Sequence, residues 1–598
     1  MPRENRFSRA SKPSDAWLMA GRVSLVACVL FFFDLPATRA ATTSNAESSI
    51  GMNLAGVSYY SSEQPFLNIF KATNGWITHG ATWDTGEEAY LNLDANGWPI
   101  TLSAVNDPNP QQFTSVGMMV QMNMPNTPNG FYPGGQYVVL YQGQGTITYS
   151  FDAVKNTALS TPGRDVINVT PSGGGIFLQI TRTDPNRTGN YIRNIQVVQA
   201  SEESALNSGQ VFNARFLNLM KNFRVLRFMG WLHTNGSQLA SWSSRPLTTK
   251  AFWGGASGVP IEVAIQLANA VSADAWLNVP AMADDNYITQ FATLVHGMLG
   301  PTQKVYVEYS NETWNYTFSQ AAWIQAQGQA EWPRANASPF DLNRNWFGQR
   351  TAQMCDILKS VWGADAGRVI CVLGAQAANT YTATESLNCP LWAGEAPCAS
   401  HGIGAIAIAP YFGGNVATDW TALPNGGGLS NVFTEINSGG LISGDGGGYL
   451  AQASAWEAAY APVASSYHVP LIAYEGGQSF ISFPNGLNAN GTNNALTDLY
   501  FAINRDSRMG AAYTKYLQQW KANGGELFVL LGDIEAYSQY GEWGALESIM
   551  QTTSPLSAAP PKWEAIQNFI TDNACWWSGC AGTVANAPKA PSNVRVTP

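Results

Sequence analysis

Apolar and polar residues follow two different patterns along this chain. From residue 201 onward, short apolar runs such as AWLNVP and RVICVL alternate with longer runs such as PIEVAIQLANAVSA, whose apolar residues recur at helical spacing. Regular alternation of strands and helices is typical of parallel β/α folds. We therefore predict an α/β fold, a (β/α)8 TIM barrel formed by residues 41–81 and 201–574.

Residues 82–200 break this rhythm. The stretch contains strand-like runs such as GGIFLQITRT and YIRNIQVV, separated by turns rich in Asn, Pro and Gly, and no helical pattern. Short strands at regular spacing are typical of a β-sandwich. We predict that a β-sandwich domain is inserted into the first β/α connection of the barrel, because barrel loops tolerate insertion.

Two of the predicted barrel strands end in a glutamate. In KVYVEYSNETWN, apolar and polar residues alternate, and the polar face ends at Glu312. Helices cover the outside of such a barrel, so this polar face is expected to point inward. The run VPLIAYEGG stops at Glu475, which the alternation places on the face of Leu471 and Ala473. Both glutamates are therefore candidate catalytic residues at the carboxyl ends of strands.

The order of these residues resembles that of the clan A glycoside hydrolases. Those (β/α)8 barrels carry an Asn-Glu pair after strand four and a Glu after strand seven, although the sequence does not identify a family within the clan. The resemblance implies that Glu312 is the acid/base, that Asn311 contacts the sugar 2-hydroxyl, and that Glu475 is the nucleophile. Two carboxyl groups about 5 to 5.5 Å apart suit retaining hydrolysis.

Four further residues are candidates for the substrate-binding site. Arg227, in the run RVLRFMGW, is too charged to face the helix layer, and clan A enzymes commonly hold an Arg there that binds the nucleophile. The alternative is an internal salt bridge to Glu308. In IGAIAIAPYF, outward isoleucines leave alanines inside and turn Tyr411 into the barrel mouth, unless it is only a rim residue. Trp543, after strand eight, and Trp314, after strand four, are candidate aromatic platforms for sugar rings.

Other acidic residues compete for the catalytic roles. Glu308 lies about 13 Å below Glu312, at roughly 3.3 Å per strand residue, and so deep in the barrel. Glu435 lies in a Gly-rich stretch, residues 413–448, that we interpret as a loop, and is expected at the surface. Glu535 also follows a strand and is the serious rival. Asp284 and Asp285 are expected to cap a helix rather than bind a metal ion.

The sequence favours no metal or cofactor chemistry. Its five histidines show no metal-binding spacing, GxSxG does not occur, and no dinucleotide-binding loop follows a strand. The formal net charge of −10 disfavours nucleic acid and anionic membrane surfaces as partners. A neutral polysaccharide is compatible with this charge, and the 21 Trp and 23 Tyr provide rings that can stack on sugars.

The first forty residues have the features of a secretory signal peptide. A basic segment precedes the apolar run VSLVACVLFFF, and Ala40 offers a cleavage position. We expect a secreted or periplasmic protein with no membrane segment in its mature form, and a retained N-terminal anchor is the alternative. Residues 575–598 are expected to form a disulfide loop and a Pro-rich tail.

Six cysteines remain after the signal segment, and an even number in an exported chain favours disulfides. Short spacings suggest pairing in sequence order, although other connectivities remain open. The residues concerned are Cys355, Cys371, Cys389, Cys398, Cys575 and Cys580.

These patterns favour an endo-acting hydrolase of β-linked polysaccharide. Cellulose or a related β-glucan is the first candidate, while xylan and mannan remain open. A different class of answer is a non-catalytic carbohydrate-binding or adhesive protein on a degenerate barrel. The inserted domain either binds carbohydrate or packs at the barrel mouth, and the sequence does not predict the oligomeric state.

Overall fold

A computed structural model describes residues 45, 48–106, 113–123, 132–256, 258–442, 446–489 and 491–577. The predicted signal segment and the Pro-rich tail, with Cys580, lie outside the described residues. Within the described ranges, no helix combines the length and the hydropathy that crossing a membrane requires.

Strand β1 (Ile50–Asn53) is followed by an inserted β domain. The strands of the insert are β2 (Ile77–Gly80), β3 (Leu91–Leu93), β4 (Pro99–Ala104), β5 (Phe113–Gln121), β6 (Gly135–Gln142), β7 (Gly145–Phe151), β8 (Ala153–Lys155), β9 (Arg164–Val169), β10 (Ile176–Thr183) and β11 (Arg193–Gln199). They form the antiparallel sheets β2-β5-β10-β7 and β11-β6-β9-β8 and the hairpin β3-β4. Apolar residues of both larger sheets, such as Met118 and Val139, share one core. Because β2 pairs with β5, the insert begins before residue 82.

The chain then returns to the barrel. Its remaining strands are β12 (Val225–Arg227), β13 (Asp274–Val279), β14 (Val305–Tyr309), β15 (Val369–Gly374), β16 (Ile403–Ile408), β17 (Leu471–Ala473) and β18 (Phe528–Leu531). Strand β1 pairs in parallel with both β12 and β18, so these strands and β1 close into a barrel within the described part of the chain. The predicted (β/α)8 fold is confirmed.

Helices cover the outside of the barrel, except for the first of them, which packs against the inserted domain. They are α1 (Glu203–Asn207), α2 (Ala214–Met220), α3 (Ile261–Val271), α4 (Asp285–Met298), α5 (Ser319–Glu331), α6 (Pro339–Trp362), α7 (Tyr381–Asn388), α8 (Gly427–Asn437), α9 (Gly448–Ser466), α10 (Ala495–Arg505), α11 (Ser507–Ala522) and α12 (Pro561–Asp572). The Gly-rich stretch interpreted as a loop contains α8, whose apolar residues Val432, Phe433 and Ile436 are buried. That prediction was wrong because the many glycines obscured a helical stripe.

The alternation in strand six separates two apolar layers, as predicted. Ile406 and Ile408 belong to the layer between barrel and helices, whereas Ala405 and Ala407 face the barrel interior. The small alanines leave room for larger side chains from other strands. Trp276 lies in that interior and stacks on the ring of Tyr306, with ring centroids 5.4 Å apart.

The cysteines follow the predicted order only in part. Cys389 and Cys398 form a disulfide with their Cα atoms 5.7 Å apart, as predicted. Cys575 is disulfide-bonded, and its predicted partner lies outside the described residues. The predicted pair of Cys355 and Cys371 is wrong in this structure, where both are free, buried thiols. They lie in the apolar layer between α6 and β15 and fill it as small hydrophobic side chains do.

Candidate active site

Glu312 lies just beyond the carboxyl end of β14. Val305, Val307 and Tyr309 face the helix layer, so the polar face of the strand points inward, as predicted. Ser310 and Glu312 adopt left-handed backbone angles, with φ of +60° and +41°. Such angles are uncommon for residues other than glycine and cluster at functional sites. The turn brings the Glu312 side chain to the barrel mouth.

Glu475 follows strand β17 at the same end of the barrel. The prediction that it shares a face with Leu471 and Ala473 is wrong, because both residues pack in the outer layer. The strand ends at Ala473, so the alternation does not extend to Glu475. A Cβ on the next residue, Gly476, would lie 2.4 Å from the ring of Phe528, so only glycine fits this turn.

Arg227 lies between Glu475 and Glu308 and bonds to both carboxylates. It donates from Nη1 to Glu475 Oε1 at 2.6 Å and from Nη2 to Glu308 Oε2 at 2.8 Å. Nη2 also donates to Asn311 Oδ1 at 2.9 Å. Arg227 therefore forms both the predicted bond to the candidate nucleophile and the alternative salt bridge to Glu308. Burial lowers the pKa of the guanidinium, but Glu308 and Glu475 more than offset this effect and raise its pKa above the ordinary value.

Glu475 accepts hydrogen bonds from three strand ends. Besides Arg227, Tyr411 donates its hydroxyl to Oε2 at 2.9 Å, and Asn53 Nδ2 lies 3.5 Å from Oε1. Tyr411 thus contacts the candidate nucleophile and is more than a rim residue. Charge-assisted donors of this kind stabilise the ionised form of a carboxyl group. Burial, followed by the charge of Glu475, raises the pKa of the Tyr411 hydroxyl, which keeps it a donor.

Glu308 lies deeper in the barrel, as predicted. Its Oε2 accepts hydrogen bonds from Arg227, from Trp276 Nε1 at 3.0 Å and from Asn278 Nδ2 at 3.0 Å. Burial raises the pKa of this carboxyl group, and Arg227 opposes the rise. Glu308 is buried and accepts three hydrogen bonds, so it holds Arg227 in place and is a poor candidate for a catalytic role.

Glu312 has a different environment from Glu475. Its carboxyl group accepts from the Tyr474 hydroxyl at 3.0 Å and from Asn315 Nδ2 at 2.9 Å, and no Arg or Lys bonds to it in the described chain. Burial, followed by the negative charge of Glu475, raises the pKa of Glu312 to about 7. The site therefore holds one carboxyl group in contact with a guanidinium and a second that retains its proton close to neutrality.

Sequence reasoning missed several residues of this network, including Tyr474, Asn53 and Asn315. Tyr474 lies just beyond the end of β17, in the apolar cluster of the barrel interior and immediately before Glu475, and Asn53 is the last residue of β1. A polar residue at the carboxyl end of a barrel strand is a usable signal, and Asn53 satisfies it. Asn315 carries no comparable signal, because its contact depends on the turn around Glu312. Asn311 is further held by Asn235, which accepts from its Nδ2 at 3.0 Å.

The two predicted tryptophans lie in the segments that surround the mouth. Trp314 follows Glu312 by two residues, and Trp543 follows β18. The carbonyl of Glu542, beside Trp543, accepts from Gln478 Nε2 at 2.8 Å, which ties this segment to the one after Glu475. In the described chain, neither tryptophan hydrogen-bonds to either candidate catalytic carboxyl group.

The rival glutamates have other neighbours. Glu435, expected at the surface, is buried on α8, where the backbone N–H groups of Leu441 and Ile442 donate to it, so that expectation was wrong. Desolvation raises the pKa of Glu535 to about 7, and the charges that act on it are those of Asp533 and Lys562. Neither rival belongs to the Arg227 network.

No group of three or more His, Cys, Asp or Glu side chains in the described ranges has an arrangement that could hold a metal ion. Asp284 caps helix α4, as predicted, by accepting from the Tyr287 N–H at 2.6 Å. Asp285 does not cap the helix but is its first residue, and it accepts from Arg350 Nη1 at 2.6 Å.

No protein-family model matches the chain, and no curated protein sequence does. Solved structures with a similar arrangement include a 4-O-α-L-rhamnosyl-β-D-glucuronidase from Fusarium oxysporum 12S, with 12% identity, a TM-score of 0.33, and coverage of 58% of this chain and 61% of that one.

Two further matches are an endo-β-1,4-mannanase double mutant from Cellulomonas fimi and a GH5-4 broad-specificity endoglucanase from Bacteroides salanitronis. The mannanase has 11% identity, a TM-score of 0.30, and coverage of 54% of this chain and 60% of its own. The endoglucanase has 10% identity, a TM-score of 0.33, and coverage of 60% and 85%. The chain thus spans 61% and 60% of the length of the glucuronidase and the mannanase.

Proposed function

We propose that this chain is an exported, retaining glycoside hydrolase that cleaves β-linked polysaccharide at internal bonds. Cellulose or a related β-glucan is the proposed substrate. The observation that carries the proposal is the contrast between the two carboxyl groups at the barrel mouth. Glu475 is bound by Arg227 and Tyr411, whereas Glu312 keeps a proton close to pH 7. Double displacement requires this division between an ionised nucleophile and a protonated acid.

In the first step, an oxygen of Glu475 attacks the anomeric carbon. The bond from that carbon to the glycosidic oxygen breaks, and the oxygen takes the bonding electron pair together with the proton of Glu312. The products are a covalent glycosyl ester on Glu475, an ionised Glu312 and a released sugar chain with a free hydroxyl. Asn311, held by Arg227 and Asn235, is positioned to accept or donate a hydrogen bond at the 2-hydroxyl.

In the second step, water replaces the ester. Glu312 takes a proton from the water molecule, whose oxygen attacks the anomeric carbon as the bond to Glu475 breaks. Ester formation removes the negative charge of Glu475, which is one cause of the raised pKa of Glu312. The pKa of Glu312 therefore falls in the intermediate, so the residue acts as an acid in one step and as a base in the next.

The first prediction is that both glutamates are required on one polysaccharide. We expect purified full-length protein to release reducing sugar from one member of a panel of β-glucans, xylan, mannan and acidic polysaccharides. Glu475→Gln should reduce this rate to background, and Glu312→Gln should reduce it about 10²- to 10⁴-fold, the usual contribution of general acid/base catalysis. Glu535→Gln, the rival position, serves as the matched control and should keep activity.

The product of the first turnovers gives a second readout of the same experiment. By ¹H NMR, a retaining enzyme releases the β-anomer first, and an inverting enzyme releases the α-anomer. Activity that survives in both Glu312→Gln and Glu475→Gln would move the catalytic site elsewhere. Binding of polysaccharide by the wild-type chain without any release of sugar would support the non-catalytic alternative.

A further inference from the structure

An aromatic cluster lies on the outer face of sheet β2-β5-β10-β7 in the inserted domain. The Trp83 ring lies 4.8 Å from the ring of Phe177 and 4.7 Å from that of His79, and Phe151 lies 5.7 Å from Phe177, centroid to centroid. Trp83 and Phe151 are 53% and 54% exposed, whereas Phe177 and His79 are buried beneath them. Two large rings thus present about half of their surface to solvent.

Trp83 belongs to a loop that is fixed on the sheet. The N–H of Thr85 donates to the Thr78 carbonyl at 2.9 Å, and the two threonine hydroxyls hydrogen-bond at 2.7 Å. The N–H of Gly86 donates to Asp84 Oδ1 at 2.7 Å. These bonds hold the loop that carries the indole in one position. Binding of a ligand would therefore cost little conformational entropy for ordering this loop.

Two backbone positions are adapted to the cluster. Phe151 has φ of +59°, a left-handed angle that is uncommon for a bulky residue and that glycine adopts readily. Because Phe151 is 54% exposed, its ring gains less from burial than a core ring does. A Cβ at Gly117 would lie 2.2 Å from the Phe177 ring and 2.6 Å from His79 Nε2, so glycine is needed for the two rings to pack on the sheet.

Apart from Met119, which pairs with Phe177 on β5, the rest of this face carries amide and hydroxyl groups. Cross-strand partners share a face, and Phe177 pairs with Ser150 while Gln179 pairs with Thr148. Gln179 Nε2 also donates to Ser115 Oγ at 2.7 Å. Aromatic rings beside uncharged hydrogen-bonding groups suit the apolar faces and hydroxyl edges of sugars. The net charge of −10 disfavours an anionic ligand.

We propose that this face, comprising Trp83, Phe151, Phe177, Thr148 and Gln179, is a second binding site for a neutral polysaccharide chain. None of these residues hydrogen-bonds to the carboxylate network of the barrel in the described chain, so the two sites are separate. The site holds the enzyme on the polymer while the barrel cleaves it. The identity of the polymer depends on the proposed function, whereas the inference of a binding site depends only on the residues of this sheet.

The experiment measures binding of the full-length Glu475→Gln protein to phosphoric-acid-swollen cellulose, and to xylan and mannan, by affinity electrophoresis and pull-down. We expect Trp83→Ala and Phe151→Gly, each added to Glu475→Gln, to weaken binding at least about tenfold, the usual effect of removing an aromatic hot spot. Phe151→Gly suits the left-handed backbone, so its melting temperature should not fall. Val154→Ser is the matched control, because Val154 is 65% exposed on the other sheet of the insert.

Binding that is unchanged by Trp83→Ala and Phe151→Gly on every polymer would overturn this proposal. So would light scattering that shows a dimer which Trp83→Ala dissociates, because the face would then bind a second copy of the chain. Hydrolysis is scored separately, with a short soluble aryl glycoside and intact Glu475. If Trp83→Ala weakens binding but the protein with intact Glu475 hydrolyses nothing, the proposed function is contradicted and the binding site is not. If the protein hydrolyses its substrate but Trp83→Ala leaves binding unchanged, the binding site is contradicted and the proposed function is not.

Discussion

At the scale of single residues, the site depends on one buried guanidinium. Arg227 is fully buried and bonds to Glu308 on one side and Glu475 on the other. Burial of a charge is costly unless every partner is present, and loss of one partner leaves the others uncompensated. Replacement of Arg227 would therefore reduce folding stability together with activity. Titration of Glu312 tests the electrostatics of the site without a loss of folding stability.

The pH dependence of activity is the second prediction. In the proposed mechanism Glu312 acts first as an acid, and its pKa is raised to about 7, so kcat/KM on polysaccharide should fall about tenfold per pH unit above that value. The profile is measured from pH 5 to pH 9. In Glu312→Gln, the residual kcat/KM on an aryl glycoside with a good leaving group, which needs no acid, should lose this alkaline limb. An alkaline limb that stays at the same pH in Glu312→Gln would assign it to another group.

At the scale of elements, the barrel could be predicted from the sequence because its strands are short apolar runs that alternate with segments of helical apolar spacing. Arg227 could be placed inside because a charged residue in such a run cannot face the helices. Two other side chains could not be placed correctly. The orientation of Glu475 depends on where β17 ends, and the burial of Glu435 depends on a helix that the glycines of its stretch concealed.

Helix α5 shows the same limit of sequence reasoning. The sequence between Glu312 and residue 351 is rich in aromatic and polar residues and reads as a long connection, but the structure places α5 and the first half of α6 there. Gln and Ala fill most of α5, so its sequence carries no apolar stripe that would predict a helix. The start of α6 does carry a local signal, a capping box in which Ser338 and Asp341 exchange hydrogen bonds, followed by Pro339.

The third prediction concerns the cap of helix α4. Asp284 accepts from the N–H of Tyr287, a donor that the helix itself leaves unpaired. We expect Asp284→Ala to lower the free energy of unfolding by about 1 kcal/mol, measured by urea denaturation. Asn286→Ala, at an exposed position in the first turn of the same helix, should cause no loss. Equal stability of Asp284→Ala and wild type would show that the cap does not stabilise the fold.

At the scale of the whole molecule, buried acids make folding stability depend on pH. Glu457 on α9 is fully buried with Asn523 donating to it, and burial raises its pKa to about 8. The folded chain keeps a proton that the unfolded chain releases above its ordinary pKa near 4.5. The stability that this group contributes is therefore fully present below about pH 4.5 and is lost as the pH rises through 8.

The fourth prediction follows from that sign. Glu457→Gln keeps the shape of the neutral acid, so its free energy of unfolding relative to wild type should increase between pH 5 and pH 9. At about 1.4 kcal/mol per pKa unit, the increase is on the order of a few kcal/mol. Thermal and urea unfolding at both pH values measure it, with Asp572→Asn, at an exposed position, as control. A difference between Glu457→Gln and wild type that does not change with pH would contradict the assignment.

The central claim is that Glu475 forms a covalent bond to the sugar, and trapping of that ester tests it most directly. A 2-deoxy-2-fluoro-β-glycoside with a dinitrophenyl leaving group, of the sugar released in the panel above, slows hydrolysis of the ester so that it accumulates. Mass spectrometry of the digested protein should then find one fluorosugar on the peptide that contains Glu475, and none in Glu475→Gln. A fluorosugar on the peptide that contains Glu535, or an enzyme that turns over polysaccharide yet forms no adduct, would contradict the account.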